Sequence, residues 1–361
     1  MALTQVQSGI LADSTQTYGM KNRIINGDMR IDQRNAGASV TPSATATNVY
    51  TVDRWFYYQS QASKFAVDQN AGSITPPSGF GHYLGLTSQS AYSITSSDYF
   101  GIGQIIEGFN TTDLAWGTAN AATITLSFRV YSSLTGTFGG SIQTADQSRS
   151  YPFTYTIGSA NTWTTVAVTI PGDTGGTWVG ASASGSVRVN FGLGMGSTFS
   201  GTAGAWATAN YISATGATSV VGTNGATFYI TGVQFEKGST ATQFDYRPFG
   251  AELQLCQRYY QTTGSITGVG ANSTTFQGFV TYAVQMRIVN PAFALNAVMR
   301  ITDGYASNIT MSSLSAGYSI NQSSPNLQYV QFNNFSGLTQ GRFYGFYANA
   351  NTDVATLSAE L

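Results

Sequence analysis

Alternation of apolar and polar side chains is the strongest signal along this chain. In Ala122-Thr123-Ile124-Thr125-Leu126-Ser127-Phe128-Arg129-Val130 the even positions are apolar and the odd ones polar. That period of two lets a strand bury one face and wet the other. Thr164-Thr165-Val166-Ala167-Val168-Thr169-Ile170 repeats the pattern and stops at the turn sequence Pro171-Gly172-Asp173. Val187, Val189, Phe191 and Leu193 make a third apolar face, with Arg188 and Asn190 pointing away from it. Between Phe228 and Phe235 the phase slips, because Phe228 and Ile230 hold even positions while Val233 and Phe235 hold odd ones. A slip at Thr231-Gly232 predicts a β-bulge. Strands at this spacing, separated by Gly, Ser and Asn clusters, predict an all-β antiparallel sandwich.

One short helix is expected. Ala251-Glu252-Leu253-Gln254-Leu255-Cys256-Gln257-Arg258-Tyr259-Tyr260 follows Pro248 and Gly250, and it sets Leu253, Cys256 and Tyr260 on one stripe with Leu255 and Tyr259 beside them. It reads as a connector over residues 250–261 between two β domains. Residues 262–361 alternate again and carry turn sequences such as Thr302-Asp303-Gly304 and Ser323-Ser324-Pro325-Asn326, a smaller C-terminal β-sandwich. Residues 1–20 have no buried face of their own and read as an arm that orders only against something else.

Composition narrows the function. Of 361 residues only 9% are charged, against roughly 25% in an ordinary soluble domain. Yet 42% are hydrophobic, 13% aromatic, and 41 are glycine. A solvating disordered chain would show the reverse, and a coiled coil needs charged flanking positions. The formal net charge is −1 and the 15 Lys and Arg are scattered, which excludes the basic patch that nucleic acid requires. A polar but uncharged surface suits neutral, hydroxyl-rich ligands or further copies of the chain. Cys256 is the only cysteine, so no intrachain disulfide forms. No apolar run approaches ~20 residues, so no membrane insertion is expected. The opening Met1-Ala2-Leu3-Thr4-Gln5 lacks the marks of a secretory signal, and synthesis in a cytosol is expected.

Catalytic chemistry finds little to work with. His82, in Gly79-Phe80-Gly81-His82-Tyr83, is the only histidine, and no nucleophile elbow accompanies it. One His and one Cys do not make a zinc site. Gly192-Leu193-Gly194-Met195-Gly196 lacks the Gly-Lys-Thr and βαβ setting of a nucleotide loop. Asp53, Glu107, Asp113 and Asp173 are candidate acids for glycoside cleavage, each more simply read as a structural carboxylate. Asn26-Gly27-Asp28 and Asp245 could bridge a calcium ion, but they read first as an ordinary turn and strand end. No cofactor or metal is expected.

Three blocks of sequence resemble a known family. They are Lys21-Asn22-Arg23-Ile24-Ile25-Asn26-Gly27-Asp28-Met29 with Tyr50-Thr51-Val52-Asp53-Arg54-Trp55; then Ile230 to Thr242; then Phe244-Asp245-Tyr246-Arg247-Pro248-Phe249 running into Glu252 to Tyr260. In this order they resemble the fibre and receptor-binding virion proteins of tailed bacteriophages. The closing Leu357-Ser358-Ala359-Glu360-Leu361 is similar to the usual ending of those chains. The resemblance implies a jelly roll similar to carbohydrate-binding modules over residues 21–249, a smaller C-terminal β domain and a homotrimer. It implies a place on the virion, on tail or head, with the arm docked on other virion proteins. The expected role is non-enzymatic attachment to a host-surface polysaccharide. A structural adaptor or decoration protein and a polysaccharide depolymerase remain the alternatives.

Sugars stack their C–H faces on aromatic rings, a contact that needs no charge. Trp55-Phe56-Tyr57-Tyr58, Trp116, Trp178 and Trp206 are candidates upstream. In the C-terminal domain the expected ligand-binding residues are Tyr305, Tyr318, Tyr329, Tyr344 and Phe346. Within Phe343-Tyr344-Gly345-Phe346-Tyr347 neighbours must face opposite sides of a strand, so one set is buried and the other faces outward or a partner subunit.

Overall fold

The computed structural model describes residues 20–263, 266–295, 298–304, 308–313, 318–323, 326–347 and 355–361. Residues 1–19 of the expected arm, Tyr305 and the turn residues Ser324 and Pro325 lie outside the described residues. The chain divides into two compact units, one running to Arg247 and taking in Leu361, the other from Pro248 to Glu360.

The first unit is a sandwich. Its strands are β1 (Ala46–Tyr50), β2 (Phe56–Gln59), β3 (Phe65–Gln69), β4 (Leu84–Ser88), β5 (Tyr99–Glu107), β6 (Ile124–Ser132) and β7 (Gly136–Thr144). There follow β8 (Ser150–Ile157), β9 (Thr164–Ile170), β10 (Gly185–Met195), the two-residue β11 (Ser200–Gly201) and β12 (Ser213–Ala214), and β13 (Thr227–Lys237). Six strands form one sheet in the order β1-β2-β5-β10-β7-β8, and five the other in the order β3-β4-β13-β6-β9. Apolar residues of the two inner faces interdigitate, with Phe128 of β6 edge-on to Phe191 of β10 at 5.0 Å. The alternation reads out as expected: Ile124, Leu126, Phe128 and Val130 are fully buried, as are Val187, Val189, Phe191 and Leu193.

The bulge is where the slip in phase places it. The register between β13 and β6 shifts between Thr231 and Gln234, and Gly232 takes φ +60°. Because of that extra residue Phe228, Ile230, Val233 and Phe235 all reach the core. A regular strand would turn the last two outward.

Two expectations are corrected. Arg188 and Asn190 point away from the core but are not wet, since both are buried. The segment carrying Asn210 to Ile212 crosses the outer face of the six-stranded sheet, and Gln143 Nε2 donates to Asn210 Oδ1 at 2.8 Å and Tyr211 O at 3.1 Å. Beneath it Arg188 Nε donates to Asn190 Oδ1 at 3.0 Å, and the Arg188 guanidinium lies 4.6 Å from the Phe56 ring centre. The helix also differs: α1 spans Phe249–Gln257, and Tyr260 already opens a strand. Its buried residues are Glu252 and Cys256, not Leu253. Tyr259-Tyr260-Gln261-Thr262-Thr263 favours strand over helix, and pairing of Tyr260–Thr263 with Ala355–Ser358 overrides the helical stripe.

The second unit contains β14 (Tyr260–Thr263), β15 (Ile266–Gly270), β16 (Phe276–Thr281), β17 (Ala292–Leu295), β18 (Arg300–Thr302) and β19 (Asn308–Thr310). It continues with β20 (Tyr318–Ser323), β21 (Leu327–Phe332), β22 (Phe343–Tyr347) and β23 (Ala355–Ser358). Three strands pair as β14-β23-β17 and seven as β19-β18-β22-β15-β16-β21-β20, around a core that includes Ile266, Phe276, Met299, Ile301, Val330, Phe332 and Leu357.

The segment from Asn22 to Ile31 has no regular structure, yet it ties the two sheets of the sandwich together. Arg23 N–H donates to Phe235 O, Val233 N–H donates to Gly27 O, and Asn22 Oδ1 accepts from Ile24 and Phe235. Across the other sheet, Gln104 of β5 accepts from Ile25 N–H at 2.9 Å and donates back to Ile25 O at 2.8 Å. Asn26, fully buried, donates to Ile31 O and Asp53 O and accepts from Ile31 N–H, while its carbonyl receives the Trp55 indole at 3.0 Å. Gly27 packs so tightly on Val233 O that no Cβ fits there.

Asn26→Ala removes the partner of three buried backbone groups at about 1–3 kcal/mol each. A loss of at least about 3 kcal/mol is expected in urea unfolding of the first unit. Asp98 supplies a pH test. Burial works against its charge, but Ser60, Thr95 and Tyr92 all donate to it, and the net effect holds its carboxyl below the usual range. A depressed carboxyl stabilises the fold above its unfolded value, about 3.9, and loses that contribution as pH falls through the folded one. Urea midpoints measured against pH are expected to drop below about pH 4, with a shallower fall in Asp98→Asn.

Candidate functional site

The outer face of the five-stranded sheet carries a groove. Alternation along β6 turns Ser127, Arg129 and Tyr131 outward, and β9 sets Ala167 opposite Ser127 and Thr165 opposite Arg129. On the other side of β6 the bulge spaces β13 away from regular pairing. Gly232 bears the ring of Phe80 directly on its backbone, where a Cβ would lie 2.6 Å from the ring. Phe80 belongs to an aromatic triad with Phe244 at 5.2 Å and Tyr246 at 5.5 Å, and those two rings are 4.8 Å apart. Tyr246 is 52% exposed, and its hydroxyl donates to Gly79 O at 2.8 Å.

The result is a groove of about 300 Å³ with a wall that includes Phe80 and Phe244 and a floor that includes Ser127, Arg129, Thr165 and Ala167, with Thr242 and Gln243 at its edge. The side chains of Ser127, Arg129, Thr165 and Gln243 make no hydrogen bond or ion pair among the described residues. Thr165 and Gln243 are exposed and Arg129 is half-buried, so these side chains are open to a ligand entering the groove. Two residues along β6, about 6.6 Å away, Tyr131 stacks on Tyr229 at 5.3 Å and 9°, with Trp163 and Tyr83 beside them. Burial pushes the phenols of Tyr83 and Tyr229 up. Burial and the Asp28 carboxylate raise that of Tyr246, against the pull of Arg129. All three remain hydrogen-bond donors at neutral pH.

The upstream aromatics divide. Trp55, Phe56, Tyr57 and Tyr58 are all buried and serve the packing of the sandwich, which removes them as ligand contacts. Trp116, Trp178 and Trp206 come together, with ring centres 4.7–5.6 Å apart. Trp116 and Trp178 line a pocket of about 200 Å³ with Thr111, Thr112, Thr118 and Ser186. Each indole N–H there is already spent, on Ala122 O, Asp173 Oδ2 and Pro171 O respectively. The hydroxyls of Thr112, Thr118 and Ser186 likewise donate to backbone carbonyls.

In the second unit, Tyr318 packs edge-on against Phe293 at 5.0 Å and donates to Phe293 O at 2.7 Å. Tyr344 is 3% exposed in the core, its hydroxyl accepting from Thr339 N–H, while its neighbour Phe343 is 78% exposed. Phe346 sits on β22 opposite Ile301, and its side chain lies outside the described residues, as does Tyr305. Tyr329 stands on β21 opposite Phe279 of β16, with the rings 5.3 Å apart and Phe279 half exposed. Of the expected residues whose side chains are described, Tyr329 alone lies beside an exposed aromatic on the outer face of its sheet.

The candidate acids are held in place. Asp53 pairs with Arg34 at 3.7 Å, Asp113 with Arg23 at 2.8 Å, and Asp173 with Arg149 at 2.5 Å, while Glu107 is buried. His82 Nδ1 lies 3.0 Å from Asn70 Nδ2. Asp28 pairs with Arg30 at 3.2 Å and Asp245 with Arg247 at 3.8 Å, and no metal-ligating cluster is present among the described residues.

Sequence reasoning did not single out Phe80, Arg129 and Phe244, which line the groove, or Tyr246 beside them. The aromatic pair two apart at 244 and 246 and the slip at Thr231-Gly232 were the visible signals. What joins them to Phe80, across about 160 residues of sequence, is tertiary.

No protein-family model matches the sequence, and no curated protein matches it. Among solved structures, the chain is similar to a candidate sugar-binding protein from Bacteroides thetaiotaomicron, at 15% identity over 60% of this chain and 100% of that one, with a TM-score of 0.36. It is similar to a family 4 carbohydrate-binding module at 15% identity over 59% and 98%, TM-score 0.31. It is also similar to a family 11 module from Clostridium thermocellum in complex with a β-1,3-1,4-mixed-linked tetrasaccharide, at 10% identity over 56% and 99%, TM-score 0.27.

Proposed function

We propose that the protein binds a cell-surface glycan without cleaving it, through the groove on the five-stranded sheet. One observation carries this reading: an aromatic wall faces a floor of hydroxyl, amide and guanidinium groups that have no partner among the described residues. Rings take the apolar face of a sugar, and the polar groups take its hydroxyls. Binding without cleavage is supported by the ion pairs that occupy Asp53, Asp113 and Asp173.

In the fuller form of this proposal the chain is a fibre of a tailed-phage virion that attaches to host polysaccharide. Support for that comes from the three sequence blocks quoted above. Residues 1–20 would dock on a tail or head protein, and a homotrimer would multiply weak sites through effective concentration. Sedimentation equilibrium is expected to give the mass of three chains; the mass of one chain would remove the trimer.

Phe244→Ala is expected to weaken binding to host polysaccharide about three- to tenfold, the equivalent of about 0.5–1.5 kcal/mol for a lost stacking contact. Affinity electrophoresis in polysaccharide gels reads this directly, and an unchanged mobility shift would count against the groove. Gly232→Ala should also act on the groove, because it strains a left-handed position by about 1–2 kcal/mol and drives Phe80 off the bulge. Reducing ends released from the polysaccharide by the wild-type chain would instead favour the depolymerase alternative.

A further inference from the structure

The groove contains a cation, Arg129, with no hydrogen-bond, ion-pair or ring partner among the described residues. The chain has 15 Lys and Arg, and the others are engaged by a carboxylate, a carbonyl, an aromatic ring or another partner. In a sequence with so few charges, a half-buried guanidinium on a groove floor costs solvation that no hydrogen bond or ion pair among the described residues repays. Its neighbours across the sheet, Thr165 and Thr231, are neutral. Acids around the groove are otherwise occupied: Asp28, which acts on Tyr246, pairs with Arg30 at 3.2 Å, and Glu236 accepts from Thr242 N–H at 2.9 Å, Thr242 Oγ1 at 2.6 Å and Gln234 Nε2 at 2.8 Å. Asp68, on β3 near Tyr229 and Tyr83, has its carboxyl pushed up by burial despite a hydrogen bond from Ser39.

We infer that the groove selects a glycan bearing a carboxylate, a uronic-acid type of sugar, with Arg129 receiving the carboxylate. The inference rests on the glycan-binding reading of this groove and narrows it. A guanidinium matches a carboxylate with two parallel N–H donors. The aromatic wall of Phe80 and Phe244 then takes the apolar face of the same or the adjoining ring, and Ser127, Thr165 and Gln243 are within the groove for its hydroxyls. The preference is therefore set by the one guanidinium in the groove, and it is sensitive to salt.

The test uses the full chain on an array of paired polysaccharides, each uronate polymer printed beside its methyl-esterified, uncharged form. The expected result is binding to at least one free acid about tenfold tighter than to its ester, an advantage that shrinks as salt is raised. Arg129→Gln should bring acid and ester to equal affinity, and Arg129→Lys, which keeps the charge but not the two parallel donors, should retain part of the advantage. Equal binding of acid and ester, binding confined to neutral glycans, or an acid preference that survives Arg129→Gln would each overturn the inference while leaving the glycan reading in place. If no glycan on the array is bound, both fall.

Discussion

The sandwich depends on a strap of irregular backbone. Residues 22–31 lie against β13 of one sheet and against Gln104 of the other, so that the polar groups of a segment with no strand of its own are satisfied inside the protein. A buried segment without these partners would carry several orphaned amides, each expensive. Asn22, Asn26 and Gln104 are buried for this reason, and Gly27 is required by the closeness of Val233.

The same strap sets the groove. Lys21 Nζ donates to Gln243 O at 2.9 Å, Arg247 reaches back to the carbonyls of Asn22 and Ile24, and Arg30 reaches Arg247 O at 2.6 Å. Asp245 N–H is bonded to Gln234 Oε1 at 2.8 Å, just past the bulge. These contacts fix residues 243–247, and with them the rings of Phe244 and Tyr246 that stand against Phe80. Closure of the fold and construction of the aromatic wall thus share one set of hydrogen bonds. A ligand entering the groove would meet rings already in position, which would spare it the entropy of ordering them.

The sequence made the strands legible because one face of each is buried, and a period of two survives even where composition is unusual. The bulge was legible for the same reason, as a break in that period at Thr231-Gly232 that returns Val233 and Phe235 to the core. The environment of the outward residues was not. Arg188 and Arg129 occupy equivalent outward positions on strands of similar pattern, yet one is buried under the segment around Tyr211 and the other lines an open groove. Only the path of a distant loop separates them. Aromatic residues failed as site markers in the same way. Tyr344 and Trp55 are core, whereas Phe80, in a glycine-rich stretch with no strand pattern, became part of the wall once Gly232 offered it a bare backbone. Of the blocks that carried the family resemblance, residues 21–29, 50–55, 230–242 and 244–247 are, in the structure, the strap and the segments it holds.

Central to this account is the claim that ligand enters at the five-stranded sheet and not elsewhere on the aromatic-rich surface. Hydrogen–deuterium exchange of the full chain, with and without saturating host polysaccharide, tests it most directly. The account predicts added protection confined to peptides spanning residues 127–131, 163–167 and 241–246. Protection centred instead on the tryptophan pocket around Trp116 and Trp178, or on the Phe279–Tyr329 face of the second unit, would contradict it.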